Sequence, residues 1–137
     1  MQNVGAIFRN CDGAGFEKIY LCGCSPTPPR NEISKTALTA QNTIDWEYYN
    51  DPIEVVLKLQ KENYKIYCVE LDDHAIDYKQ LYENMPENIC LVLWNEVKGV
   101  APNLLDISDE IVMIPMLWNK ESLNVSVAAW IVMYATV

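Results

Sequence analysis

Basic residues are scarce in this chain: 10 Lys and Arg stand against 19 Asp and Glu in 137 residues, a formal net charge of −9. Nonspecific grip on nucleic acid needs Lys and Arg to neutralise phosphates, so this balance argues against a strong nonspecific nucleic-acid binder. Histidine is scarcer still. The single His74 sits among Asp72, Asp73 and Asp77, so a Ser-His-Asp arrangement would have to be built on an acidic loop, and a solvated loop residue is the simpler reading. No apolar run approaches the roughly 20 residues of a membrane helix; the most apolar stretch, residues 125–137, is too short to span. No basic-then-apolar segment opens the chain. Glycine is low, 5 residues where roughly 7% is usual, while tryptophan, at 4, is not.

Five cysteines are present. An odd number at irregular spacing suits a reducing cytosol and argues against a disulfide scaffold. Cys22-x-Cys24 has no second pair at zinc spacing, so buried strand-end cysteines are expected and no metal. Gly13-Ala14-Gly15 lacks the third glycine of a dinucleotide loop, and no P-loop is present. Hydrophobic residues make up 50% and charged residues 21%, which excludes disorder and fits one soluble domain with one core.

Helical and extended patterns alternate, the α/β signature. Asn3 is a good N-cap, and Val4, Ile7, Phe8 and Cys11 follow at helical spacing to about Gly13, with Arg9 off the stripe. Lys18–Cys22 reads as a strand, and Pro26, Pro28 and Pro29 force an irregular loop. A short helix is expected over 33–41 and a strand over 43–46. Pro52 suits a first helical turn, with Ile53, Val56, Leu57 and Leu59 as the buried face. Strands are expected at 65–71, 89–93 and 111–114, a short helix at 77–84 and a final helix at 122–134. The near-continuous apolar run 89–93 reads as a strand covered on both faces. Strands separated by helices imply a mostly parallel sheet, with ligands beyond the carboxyl ends of the strands.

Two segments carry more polar residues than structure alone requires. Residues 91–100 read LVLWNEVKGV, a buried strand breaking into a turn with Asn95, Glu96 and Lys98. Residues 114–128 read IPMLWNKESLNVSVA. Capping explains one polar residue there, not the whole set of Asn119, Glu121, Ser122, Asn124 and Ser126.

Together with the opening Asn3-Val4-Gly5-Ala6-Ile7-Phe8-Arg9, these segments resemble the SpoU/TrmH family of RNA 2′-O-methyltransferases, within the SPOUT class. The opening matches the family's Asn, Gly and Arg as Asn3, Gly5 and Arg9. The apolar strand running into Gly-Asn-Glu-x-x-Gly is matched by Asn95, Glu96 and Gly99. Ile-Pro-Met followed by Ser-Leu-Asn-Val-Ser-Val-Ala is matched at 114–116 and 122–128. Residues 33–49 also look like the family's middle region, so the likeness covers nearly the whole chain.

The resemblance implies a parallel-sheet α/β fold whose C-terminal part threads a trefoil knot, against the usual rule. It implies S-adenosyl-L-methionine as cofactor, a cytoplasmic homodimer sharing its active sites, and a tRNA or rRNA substrate, with no membrane. It places Arg9 nearest the attacking ribose oxygen, with Asn3 orienting the pocket and Glu96 pinning the loops. Ser122 and Asn124 would stand at a helix N-terminus facing cofactor and ribose. Val69, Leu93, Trp94, Gly99, Ile114, Met116, Ser122 and Leu123 would line the cofactor site. RNA contact would come from local basic groups such as Arg9, Arg30, Lys35 and Lys98.

The chain departs from the pattern where the family has glycine. Trp94 and Trp118 replace glycines that allow close approach and positive φ, Thr39 replaces a frequent glycine, and Trp130 stands where a small residue is common. Trp130 is expected to press on the knot core or the dimer face. A code that reads UGA as glycine, translated here as tryptophan, would explain the three tryptophans and the glycine deficit together. Alternatively, the indoles block the pocket of a catalytically silent knotted domain that binds RNA or dimerises. The family also opens with an apolar strand ahead of the first motif, so a missing first strand and a truncated N-terminus are expected.

Overall fold

The computed structural model describes residues 2–94, 99–116 and 124–137. Helix α1, Gln2–Ala14, buries Phe8, Cys11 and Ala14. It begins at Gln2, so Asn3 lies inside the first turn and is not the N-cap. Strand β1, Lys18–Cys22, pairs in parallel with β2, Asp45–Tyr49, from Lys18 opposite Asp45 to Cys22 opposite Tyr49. Strand β2 starts later than residue 43 because the amides of Thr43 and Ile44 turn back to the Ala40 carbonyl, each at 3.0 Å.

Between β1 and β2 runs α2, Asn31–Ala37, then a 3-10 turn, Ala40–Asn42. The single helix expected over 33–41 is broken by Leu38 and Thr39, both left-handed, with φ of 51° and 76°. Helix α3, Pro52–Lys61, is capped by Asp51, whose carboxylate accepts the Ile53 amide at 3.0 Å. Its buried face is Val55, Val56 and Leu59, whereas Leu57 is 46% exposed. The expected face is thus turned by about one residue.

Strand β3, Lys65–Val69, is followed by the two-residue β4, Ile76–Asp77, and a 3-10 turn, Tyr78–Tyr82. Then come β5, Ile89–Val92, α4, Pro102–Ile107, β6, Glu110–Met113, and α5, Val125–Ala135. The four strands form one sheet in the order β4-β6-β3-β5, every pairing parallel. Central β3 buries Ile66, Tyr67, Cys68 and Val69. Strand β5 is half-buried along its length and pairs with β3 alone among the described residues. It is an edge of this sheet in pairing, yet both its faces are covered, as its apolar run suggests: Cys90 and Val92 pack on the cluster of α3 and α4, and Ile89 and Leu91 on that of Val69, Val112 and Val132.

The fold is α/β, with parallel sheets flanked by helices. Three apolar clusters hold it: one between α1, α2 and β1, one between α3, α4 and β3, and one between β3, β6 and α5. Leu91 and Leu93 contribute to the first and third clusters, so β5 ties the helical layer under α1 to the sheet.

Candidate active site

Two helix contacts bring the chain ends together. A methyl group at Gly5 would collide with Thr36 and the Ile33 carbonyl, so this glycine lets α1 lie directly on α2. On another side of α1, a methyl at Gly13 would meet the Tyr134 hydroxyl of α5. One turn earlier, Asn10 is buried, 5% exposed, and its Nδ2 donates to the Ser126 carbonyl at 3.0 Å. Arg9 precedes it, exposed on the surface of α1. Among the described residues no carboxylate pairs with Arg9. Asn3 is half-buried on the same helix.

Asn124 is the N-cap of α5: its Oδ1 accepts the Ser126 amide at 2.9 Å and the Ser126 hydroxyl at 2.6 Å. The asparagine therefore stands at a helix N-terminus, as the motif implied, with its carbonyl oxygen engaged in the cap. Ser122, Leu123 and Glu96 lie outside the described residues, as do Lys98 and Trp118.

The carboxyl ends of β3, β5 and β6 converge. Buried Val69 shares one apolar cluster with half-buried Leu93, Trp94 and Ile114, and Met116, also half-buried, follows two residues after Ile114. Trp94 also packs against the cluster of α3 and α4. Positive φ outside glycine is confined, among the described residues, to Leu38, Thr39 and Asn63. Trp94 therefore sits in ordinary backbone, and its indole is absorbed by packing on two sides.

Gly99 has φ 70°, and the neighbouring Val100 amide donates to Glu70 Oε2 at 2.8 Å. Glu70, one residue past the end of β3, holds this amide. Asn10 and Glu70 are the two polar residues that sequence reasoning left out of the site. The only signal for Asn10 is a polar residue three after Ile7 on a helix whose stripe is otherwise apolar.

Trp130 does not press on a core. It is 54% exposed and lies 6.1 Å from the Tyr134 ring on the outer face of α5. Cys24, expected as a buried strand-end cysteine, is exposed, while Cys11, Cys68 and Cys90 are poor nucleophile candidates. Burial pushes Cys11 up to about 12, Cys68 to about 11 and Cys90 to about 12. His74 is exposed, and among the described residues its ring bonds Asp72 alone, at 3.3 Å. Among the described residues no group of three His, Cys, Asp or Glu side chains is placed to hold a metal.

Residues 1–134 match the family model of the SpoU rRNA Methylase family. The chain is 29% identical to a tRNA (guanosine(18)-2′-O)-methyltransferase of Aquifex aeolicus, covering 97% of this chain and 62% of that protein. It is 30% identical to a 23S rRNA (guanosine(2553)-2′-O)-methyltransferase of Bacillus subtilis, covering 96% and 52%. The solved TrmH/SpoU tRNA modifying enzyme of A. aeolicus superposes with a TM-score of 0.85 at 26% identity, over 98% of this chain and 67% of that one. An AdoMet-bound rRNA methyltransferase from Sinorhizobium meliloti shares the fold, with a TM-score of 0.87 at 23% identity, over 98% and 51%. The chain thus spans between half and two-thirds of the length of these relatives.

Proposed function

The chain belongs to the SpoU rRNA methylase family, and we propose that it transfers a methyl group from S-adenosyl-L-methionine to a ribose 2′-hydroxyl of tRNA or rRNA. One observation carries this reading. The helix bearing Asn3 and Arg9 is bonded through Asn10 to the turn that Asn124 caps, so the first and third motifs meet although more than 100 residues separate them.

The residues present fit the cofactor. An adenosine needs a flat apolar contact beside backbone polar groups, and Val69, Leu93, Trp94 and Ile114 form one partly open apolar surface at the strand ends. With Gly99, Met116, Ser122 and Leu123 they would hold it. Bound there, it supplies an electrophilic methyl carbon.

The chain's own groups then align the ribose and manage charge. A guanidinium stays protonated above pH 12 and is a poor base. Arg9 therefore acts as a clamp on developing oxyanion charge or on a phosphate, with proton removal shared or left to solvent. Asn3 orients the same pocket, Glu96 pins the loops and Arg9, and Ser122 and Asn124 face cofactor and ribose from the start of α5.

The finer architecture goes with this reading: a C-terminal trefoil knot and a homodimer sharing its sites. An exposed apolar stripe on α5 supports the dimer. Val127, Trp130 and Tyr134 recur at helical spacing and are 46%, 54% and 39% exposed, with Val137, just past the helix end, 70% exposed, a pattern that marks an interaction face. Residues 1–137 act as one methyltransferase domain in the cytoplasm, a reducing compartment that suits five unpaired cysteines. Among the described residues no helix is long and apolar enough to cross a membrane.

A silent domain with a blocked pocket is the less favoured reading, since Trp94 is taken up by two apolar clusters and the relatives are named as methyltransferases. Calorimetric titration tests the two. Micromolar S-adenosyl-L-methionine binding by the wild type, with Arg9→Ala still binding but losing methyl transfer by more than about a hundredfold, is expected. Absence of binding, restored by Trp94→Gly plus Trp118→Gly, would overturn it.

A further inference from the structure

We infer that Asn10 is a positioning residue for the methyl-transfer site, setting the Asn124 turn against the Arg9 helix; this rests on the function proposed above. Asn10 is the one polar side chain buried among the described residues. A leucine of similar volume would fill the same place without desolvating an amide, so packing does not account for an asparagine. Its bond does: Nδ2 reaches the carbonyl of Ser126, 116 residues away.

That carbonyl belongs to the residue whose amide and hydroxyl both bind Asn124 Oδ1. A carbonyl has two lone pairs, so Ser126 can serve the α5 ladder and Asn10 together. One side chain thus fixes the rotation of the first turn of α5 about its axis, and with it the direction of Asn124, relative to the residue next to Arg9. Gly13 strengthens the arrangement by letting α5 lie close one turn later. A hydrophobic contact alone would let the two helices slide; a directional bond does not.

Two variants test this. Asn10→Leu keeps the volume and removes the donor. Asn10→Asp keeps the shape and presents an acceptor to an acceptor. In full-chain protein, both are expected to lower kcat for methyl transfer on the order of tenfold to a hundredfold, Asn10→Asp more than Asn10→Leu, with the KM for cofactor changed less than about threefold. Hydrogen exchange at the Ser126 amide should accelerate in both variants, while amides of β3 keep their protection. Wild-type kcat in Asn10→Leu, or unchanged exchange at Ser126, would overturn the assignment. If the wild type itself transfers no methyl group, the proposed function fails, and the exchange measurement still decides whether Asn10 holds the turn.

Discussion

Glu70 Oε2 takes the Val100 amide at 2.8 Å, and a methyl at adjacent Gly99 would stand 3.0 Å from the same oxygen. Val100 is buried, so its amide has no water to fall back on. Glu70→Ala is expected to cost about 1–3 kcal/mol by leaving that donor unsatisfied, whereas Glu70→Gln keeps an acceptor and stays near wild type. Urea denaturation of the pair checks this. Equal losses would mean that charge rather than the bond matters.

Thr39 carries strain. A β-branched residue at φ 76° is held where only glycine is comfortable. The family resemblance names glycine at this position. Thr39→Gly should raise stability by about 0.5–1 kcal/mol, the relief of strain being partly offset by the freer unfolded chain. Thermal melts decide it, and a lower Tm would contradict the assignment.

The buried thiols make the fold sensitive to alkali. Their unfolded value is near 9.0, and the folded values of Cys11 and Cys90 are pushed up to about 12 by burial. Folded thiols hold their protons while unfolded ones lose them. The contribution is therefore fully present below pH 9 and is lost as pH rises toward 12. Cys11→Ala should make the fall of stability above pH 9 shallower, as read by chemical denaturation across that range. An unchanged slope would remove Cys11 from the account.

Sequencing the gene tests the tryptophans. The recoding idea requires TGA at codons 94, 118 and 130 and TGG at codon 46. Trp46 packs in the cluster under α1, where a large apolar group belongs, while Trp130 sits largely exposed and packs in no core of this chain. TGG at the three positions would end the recoding idea.

Much of the fold was legible. Strand β1 falls where its apolar pattern placed it because glycine and the proline-rich loop bracket it. Helix α4 and the two-residue β4 went unseen because six and two residues are too short to display a period. Leu57 was misplaced because Val55, Val56, Leu57 and Leu59 offer two rival faces to one helix. In the site, Arg9 was readable only through the family motifs, whereas Asn124 also stood out in a polar set that capping alone does not explain. Asn10 showed only as a polar residue on an apolar stripe, since its meaning lies in a partner at the other end of the chain.

The most direct measurement incubates the protein with methyl-labelled S-adenosyl-L-methionine and bulk tRNA and rRNA, then digests the RNA to nucleosides and locates the label by mass. The account predicts label on a ribose 2′-oxygen, abolished by Arg9→Ala. Label on a base, or none while the cofactor binds, would contradict it.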